Sequence, residues 1–270
     1  MGKGSSIMQM EIWFEQLPLW LFYVMTVFIV FFSIIVGFRI GSNFRKRKTG
    51  ASEAPVGTIV GAMLGLLAFI LAFTFGMAAS RFDARKHLLL DEVNAIGTAF
   101  LRADFLPAPQ RAEARILLKK YVDLRTGVIG RHESLRQALA ESEILHTKLW
   151  SQVADLPKQS GDSVLLGLYI QSLNEVIDLH SNRVTVGTQY RIPGFFWLAL
   201  YFVTILTMAM VGYDFGITDR SVFPVSLILA LAFSAVILLI EDLDRPMEGL
   251  LKVNQKPMLE LQQKLVQSVK

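Results

Sequence analysis

Cysteine is absent from the 270 residues, and with it go disulfide frameworks, thiol redox chemistry and thiolate metal sites. Charge is scarce, and unevenly so. Charged residues make up 19% of the chain, yet four stretches hold no Asp, Glu, Lys, Arg or His: Leu17–Phe38, Ala54–Ser80, Ile192–Tyr213 and Ser221–Ile240, of 22, 27, 22 and 20 residues. The 50 charged residues crowd onto the remaining 179, about 28% of them, which is ordinary for a soluble surface. Enzyme signatures are lacking too: there is no G-x-S-x-G, phosphate-cradling loop or dinucleotide fingerprint. His87, His132, His146 and His180 fall singly, without His-x-x-x-His spacing, and read as surface or bundle residues. The carboxylate pairs Glu11/Glu15 and Asp91/Glu92 read as exposed helix faces. Neither catalysis nor a cofactor is expected, and strand-like alternation is absent.

The charge-free stretches decide the class. Roughly 20 apolar residues at about 1.5 Å each cross a hydrocarbon core of about 30 Å, so the chain reads as all-α with four transmembrane helices. Net charge is +4, but the dense basic run Arg45-Lys46-Arg47-Lys48 directly follows the first stretch. Beside a span such a run is a topology signal or a contact for lipid headgroups, so nucleic acid is not an expected partner. Residues 1–16 carry Lys3, Glu11 and Glu15 and end in no A-x-A site, which argues against a cleavable signal peptide. The organisation expected is an N-terminal segment 1–16, helices one and two within 17–80 with a basic loop 39–55, a water-exposed helical domain 81–191, helices three and four within 192–240, and a C-terminal acidic segment and helix 241–270.

The second span differs in kind from the first. Gly57, Gly61 and Gly65 recur every four residues, and Ala68, Ala72 and Gly76 continue on that side, a face of small residues that lets helices approach closely in lipid. Leu66, Phe69, Phe73 and Met77 form a second, bulky face at nearly the same spacing. In an oligomer arranged around an axis those rings make a hydrophobic constriction of the kind that gates by dewetting. Within one subunit they would simply pack on the other spans or meet lipid. The spacing of Leu89, Val93, Ile96 and Phe100, with no intervening proline, carries the second helix out of the membrane to about Asp104, where Pro107 and Pro109 end it. Amphipathic runs Ile116–Val122, Ile144–Val153 and Leu165–Val184 predict a bundle. Pro157 and Ser160-Gly161-Asp162 separate the last two runs.

The run from Leu71 through Ser80-Arg81-Phe82-Asp83-Ala84-Arg85-Lys86, then Asn94-Ala95-Ile96-Gly97-Thr98-Ala99, Lys120-Tyr121-Val122-Asp123-Leu124-Arg125 and Asp244-Arg245-Pro246-Met247-Glu248-Gly249-Leu250, resembles the bacterial bestrophin-like domain family. More distantly the chain is similar to the bestrophins, which are pentameric anion channels. The resemblance implies a multi-pass protein of the bacterial inner membrane, with lipid, further copies of itself (best a pentamer) and inorganic anions as partners. It also implies that second-span apolar residues line a narrow neck, which places Phe69 and Phe73 there, although Gly65 stands where a third bulky neck residue is expected. In animal bestrophins an acidic cluster after the fourth span helps hold Ca²⁺. Here Glu241, Asp242 and Asp244 are interrupted by Arg245, which favours a helix-end or salt-bridge role.

Two functional readings follow. In one, the chain forms a passive pore for anions, with Arg81, Arg85 and Lys86 raising local anion concentration at its mouth. In the other it is a non-conducting scaffold or sensor whose helical domain binds a partner or ligand. A proton-coupled transporter is disfavoured, because the spans hold no ionisable group. Orientation is contested. The basic loop after the first span puts the helical domain outside the cytoplasm, whereas the bestrophin resemblance implies the reverse.

Overall fold

The computed structural model describes residues 18–47, 56–127, 135–154, 164–188, 190–218, 223–246 and 249–268. Among these there are eight α-helices and a short 3-10 turn. They are α1 (Leu19–Arg47), α2 (Val56–Arg102), α3 (Gln110–Gly127), α4 (Leu135–Ala154), α5 (Val164–Thr188), α6 (Gly194–Thr218), α7 (Phe223–Asp244) and α8 (Lys256–Ser268). Four of them, α1, α2, α6 and α7, are long and apolar enough to cross a membrane. Segment 1–16, the stretch 48–55 of the basic loop, His132, and the Pro157 and Ser160-Gly161-Asp162 breakers lie outside the described residues; the first half of the expected loop, 39–47, is instead the end of α1, which carries Arg45, Lys46 and Arg47 in its last turn.

Two compact units emerge. One holds the chain up to Arg81 together with Arg191–Leu251, and the other holds Phe82–Tyr190 with Lys252–Lys270. Helix α2 is one unbroken helix of 47 residues that contributes to both. A 3-10 turn, Ala103–Phe105, ends it just before Pro107, since a proline disfavours the helical conformation of the residue before it. Helix α8 belongs with the bundle of the second unit and buries Met258, Leu261 and Leu265 there. The core of that unit is built on Leu89, Ile96, Phe100, Leu118, Tyr121, Leu149, Tyr169 and Leu173.

In the membrane unit the closest approach lies between α1 and α6, and glycines make it. A Cβ on Gly37 would overlap the backbone of Ala209, one on Gly41 the backbone of Tyr213, one on Gly212 that of Ile34, and one on Gly216 that of Phe38. Both helices thus carry a small-xxx-small pair, and the two pairs face each other. Lipid tails are as apolar as leucine, so close van der Waals contact rather than the hydrophobic effect holds such helices together. Polar side chains add to the clasp: Thr26 Oγ1 and the Tyr201 hydroxyl lie 2.7 Å apart. Phe22 meets Trp197 edge-on at 6.1 Å.

Helix α2 sits apart from this arrangement. Its covered stripe in the membrane is Leu67, Leu71, Thr74 and Ala78. It reaches α6 through Thr207 Oγ1, 3.5 Å from the Met63 carbonyl, and through Phe73, whose ring centroid is 6.4 Å from that of Phe196. Only 11% of its apolar window is buried, against 28% for each of the other spans.

The glycine clasp makes a direct test. Gly212→Val places a branched side chain against the Ile34 backbone, with a cost of about 2 kcal/mol or more from overpacking. In detergent the variant is expected to melt several degrees below the parent, whereas Gly57→Val, with nothing within 4 Å of its Cβ among the described residues, is not expected to change the stability of the isolated subunit.

Candidate functional site

Three groups of residues carry polar or exposed features that packing alone does not explain. The first is the second membrane helix. Leu66, Phe69 and Phe73 are 51%, 68% and 54% exposed, and Met77 is half-buried. On the small face, Gly57, Gly61, Gly65 and Gly76 have no neighbour within 4 Å of a built Cβ among the described residues, and Ala68 and Ala72 are exposed. Among the described residues the small face is therefore uncovered and the bulky face largely exposed, and the close glycine contacts between membrane helices are those of Gly37, Gly41, Gly212 and Gly216. Of the three expected mouth cations, Lys86 is exposed and Arg81 half-buried. Arg85 is only 7% exposed, its guanidinium 5.9 Å from the Phe82 ring centroid, so it is packed rather than displayed.

The second group is the acidic end of α7. Asp242 accepts hydrogen bonds from the backbone N–H of Leu250 (2.7 Å) and of Leu251 (3.0 Å). Gly249, at φ +135°, turns the chain beneath it, and a Cβ there would overlap the Asp242 carboxylate. Both carboxylate oxygens of Asp244 accept from the Ile192 N–H at 3.1 Å. Glu241 accepts from Arg245 Nε at 2.9 Å. These three carboxylates fix the chain reversal after α7 and the entry to α6.

The third group lies inside the helical bundle. Glu92, on the part of α2 beyond the membrane, has a side chain with no exposed surface and forms ion pairs with Arg125 on α3 (3.2 Å) and with Arg183 on α5. The Tyr121 hydroxyl donates to Glu92 Oε1 at 2.5 Å and lies 2.9 Å from His180 Nδ1. Arg183 also donates to Gln255 at 2.9 Å. His146 on α4 packs beside this chain of contacts, edge-on to His180 with ring centroids 4.8 Å apart and tilted against Tyr121 at 4.9 Å.

Electrostatics follows from that geometry. Burial alone would raise the Glu92 carboxyl, but the Arg125 and Arg183 guanidinia and the donated hydrogen bonds outweigh it and hold the group below its ordinary 4.5. Burial and the Glu92 charge push the Tyr121 hydroxyl well above its usual value, so it stays a donor. Burial lowers both imidazoles to about 4, and Arg125 adds to the shift of each. The cluster at neutral pH is thus an ionised carboxylate between two guanidinia, with two neutral histidines next to it.

By sequence alone Asp91/Glu92 is an exposed pair and the histidines are isolated. The structure corrects both. Asp91 is exposed but Glu92 is buried, and His146 and His180 meet although 34 positions apart on different helices. A signal was present: Glu92 lies three residues after Leu89 and four before Ile96, on the buried stripe of α2, and His146 lies three before buried Leu149. An ionisable side chain on the apolar stripe of an amphipathic helix marks a buried network.

Removing one member of a buried ion cluster leaves the others uncompensated. Glu92→Gln is expected to destabilise the bundle by about 3–5 kcal/mol, seen as a lower melting temperature in detergent. The contribution of Glu92 is complete above pH 4.5, its unfolded value, and is lost as pH falls from there through the depressed folded value. The difference in stability between parent and variant is therefore expected to shrink on acidification below 4.5.

Known proteins place this arrangement. No curated protein matches the sequence. Among solved structures, two single-residue variants of a bacterial bestrophin homologue from Klebsiella pneumoniae superpose with TM-scores of 0.64. One is 17% identical, over 91% of this chain and 97% of that one, and the other is 18% identical, over 92% and 98%. A further structure, described as a membrane protein, superposes with a TM-score of 0.67 at 16% identity, over 91% of this chain and 98% of that one. At such identity the likeness establishes the fold, which is bestrophin-like. The sequence profile of the Bestrophin-like domain matches residues 22–258, and with nearly the whole chain inside that match, this membrane protein belongs to the Bestrophin-like domain family.

Proposed function

We propose that the protein is a passive ion pore of the bacterial inner membrane, built by several copies around an axis and conducting small anions. Phe69 and Phe73 form its hydrophobic neck. The observation that carries this reading is the exposure of α2. Among the described residues its glycine face has no close neighbour and its bulky face is largely exposed, while α1 and α6 already clasp each other. A ring of copies supplies both missing contacts: the small face receives a neighbouring subunit's helix, and the bulky face turns to the axis. Lipid alone would cover the phenylalanines but leave the glycine groove without the close backbone contact that drives helix association in a bilayer.

The chemistry suits passive conduction. The charge-free stretches contain no carboxylate or imidazole to carry a coupling proton, and apolar rings at a constriction gate by wetting and dewetting. Arg81 and Lys86, on the same helix beyond the neck, set a positive potential that concentrates anions. The family resemblance to bestrophin channels supports the same choice of ion.

Purified protein in chloride-loaded liposomes is expected to release chloride, and Phe69→Ala or Phe73→Ala, by widening the neck, to raise the flux severalfold. Absence of flux from the parent and from both variants, each shown to be folded and oligomeric, would reject the pore and leave the anchored helical bundle as a scaffold or sensor.

A further inference from the structure

The bundle contains a place where three side chains with metal-ligating atoms converge. Glu143 and His146 are separated by three residues on α4, so they lie on one face of that helix. His180 on α5 faces them. The side-chain donor atoms of Glu143, His146 and His180 all lie within 4.8 Å of one another, with His180 Nε2 3.7 Å from Glu143 Oε1. His146 is 97% withdrawn from solvent, at 3% exposure, yet neither of its ring nitrogens has a hydrogen-bond partner among the described residues. A buried imidazole with both nitrogens idle is costly.

The tautomer of His180 sharpens the point. The Tyr121 hydroxyl spends its one proton on Glu92, so toward His180 Nδ1 it acts as an acceptor, and His180 carries its proton on Nδ1. That leaves the Nε2 lone pair facing the Glu143 carboxylate, a repulsive pairing unless a cation stands between them. The Glu92–Tyr121–His180 chain has the form of the outer-shell support that fixes a metal-binding histidine, in which the far ring nitrogen donates to an oriented acceptor.

We propose that Glu143, His146 and His180 bind one divalent transition-metal ion, with two imidazole nitrogens and one carboxylate oxygen as ligands. Two nitrogens, one oxygen and no thiolate match the donor set of zinc sites with three protein ligands and an open fourth position. In such a site donors stand about 3.4 Å apart, and Glu143, 65% exposed at its side chain, is free to swing inward while the two buried rings stay in place. The Glu-x-x-His spacing on a single helix is one that helical bundles use to point two ligands at the same ion. Bound there, the metal ties α4 to α5 and satisfies His146. Metal uptake at this site requires no conduction by the protein and is read without measuring ion flux.

The test uses the full-length detergent-purified protein, stripped with a chelator and desalted, then titrated with Co²⁺ as a visible probe and with Zn²⁺. Expected are ligand-field bands of a low-symmetry nitrogen and oxygen site saturating at one Co²⁺ per chain, their loss on adding Zn²⁺, and a rise in melting temperature on the order of 5 °C at saturating Zn²⁺. Glu143→Gln, at an exposed position that leaves the core intact, and His146→Phe, which keeps a ring in the cavity, are each expected to weaken binding at least tenfold. Folded parent protein that takes up neither ion overturns the proposal. So do variants that bind as the parent does, which would place the metal elsewhere on the surface and make the two histidines an aromatic core only.

Discussion

A transmembrane helix has no hydrophobic incentive to leave lipid for another helix, so what it keeps in contact must be held by close packing or by polar groups. That constraint sorts the four spans here. Helices α1 and α6 satisfy it between themselves through Gly37, Gly41, Gly212 and Gly216, where backbones meet at distances that admit no Cβ. Helix α2 has the same glycine device and, among the described residues, packs nothing against it. A long small-residue groove left open in this way, back to back with a row of exposed phenylalanines, is the feature that favours assembly of several copies.

The same helix continues into a different physical regime. Beyond Ser80 its buried stripe acquires Glu92, and the bundle gathers two arginines, a tyrosine and two histidines around it. A carboxylate out of water is tolerable because two guanidinia and a hydroxyl replace its hydration. Such a network fixes geometry more than it adds net stability. It holds the Tyr121 proton in one direction and thereby settles the tautomer of His180, so the charge balance at Glu92 determines which lone pair the bundle presents to Glu143.

What the sequence made legible was set by local rules. Charge-free runs gave the four spans, the lack of proline after Ser80 gave the long second helix, and Pro107 and Pro109 marked its end. The amphipathic runs gave three bundle helices. What stayed hidden was long-range pairing. The glycine stripe of α2 stood out, being longest, whereas the pairs on α1 and α6 acquire meaning only once those helices face one another. His146 and His180 are unremarkable singly, and Glu92 beside Asp91 resembles any exposed acidic pair until its register with Leu89 and Ile96 is considered. Asp242 and Asp244 sit at a helix end, where a carboxylate has many uses, and their backbone partners at Leu250, Leu251 and Ile192 depend on a chain reversal that no local pattern specifies.

Whether copies of α2 meet around a common axis is visible in an averaged image of the detergent-solubilised particle viewed down its symmetry axis. A closed ring of subunits is expected, with the second helices innermost and an axial passage narrowing at the level of Phe69 and Phe73. A single subunit, or a ring with α1 or α7 nearest the axis and α2 turned outward to lipid, would contradict it.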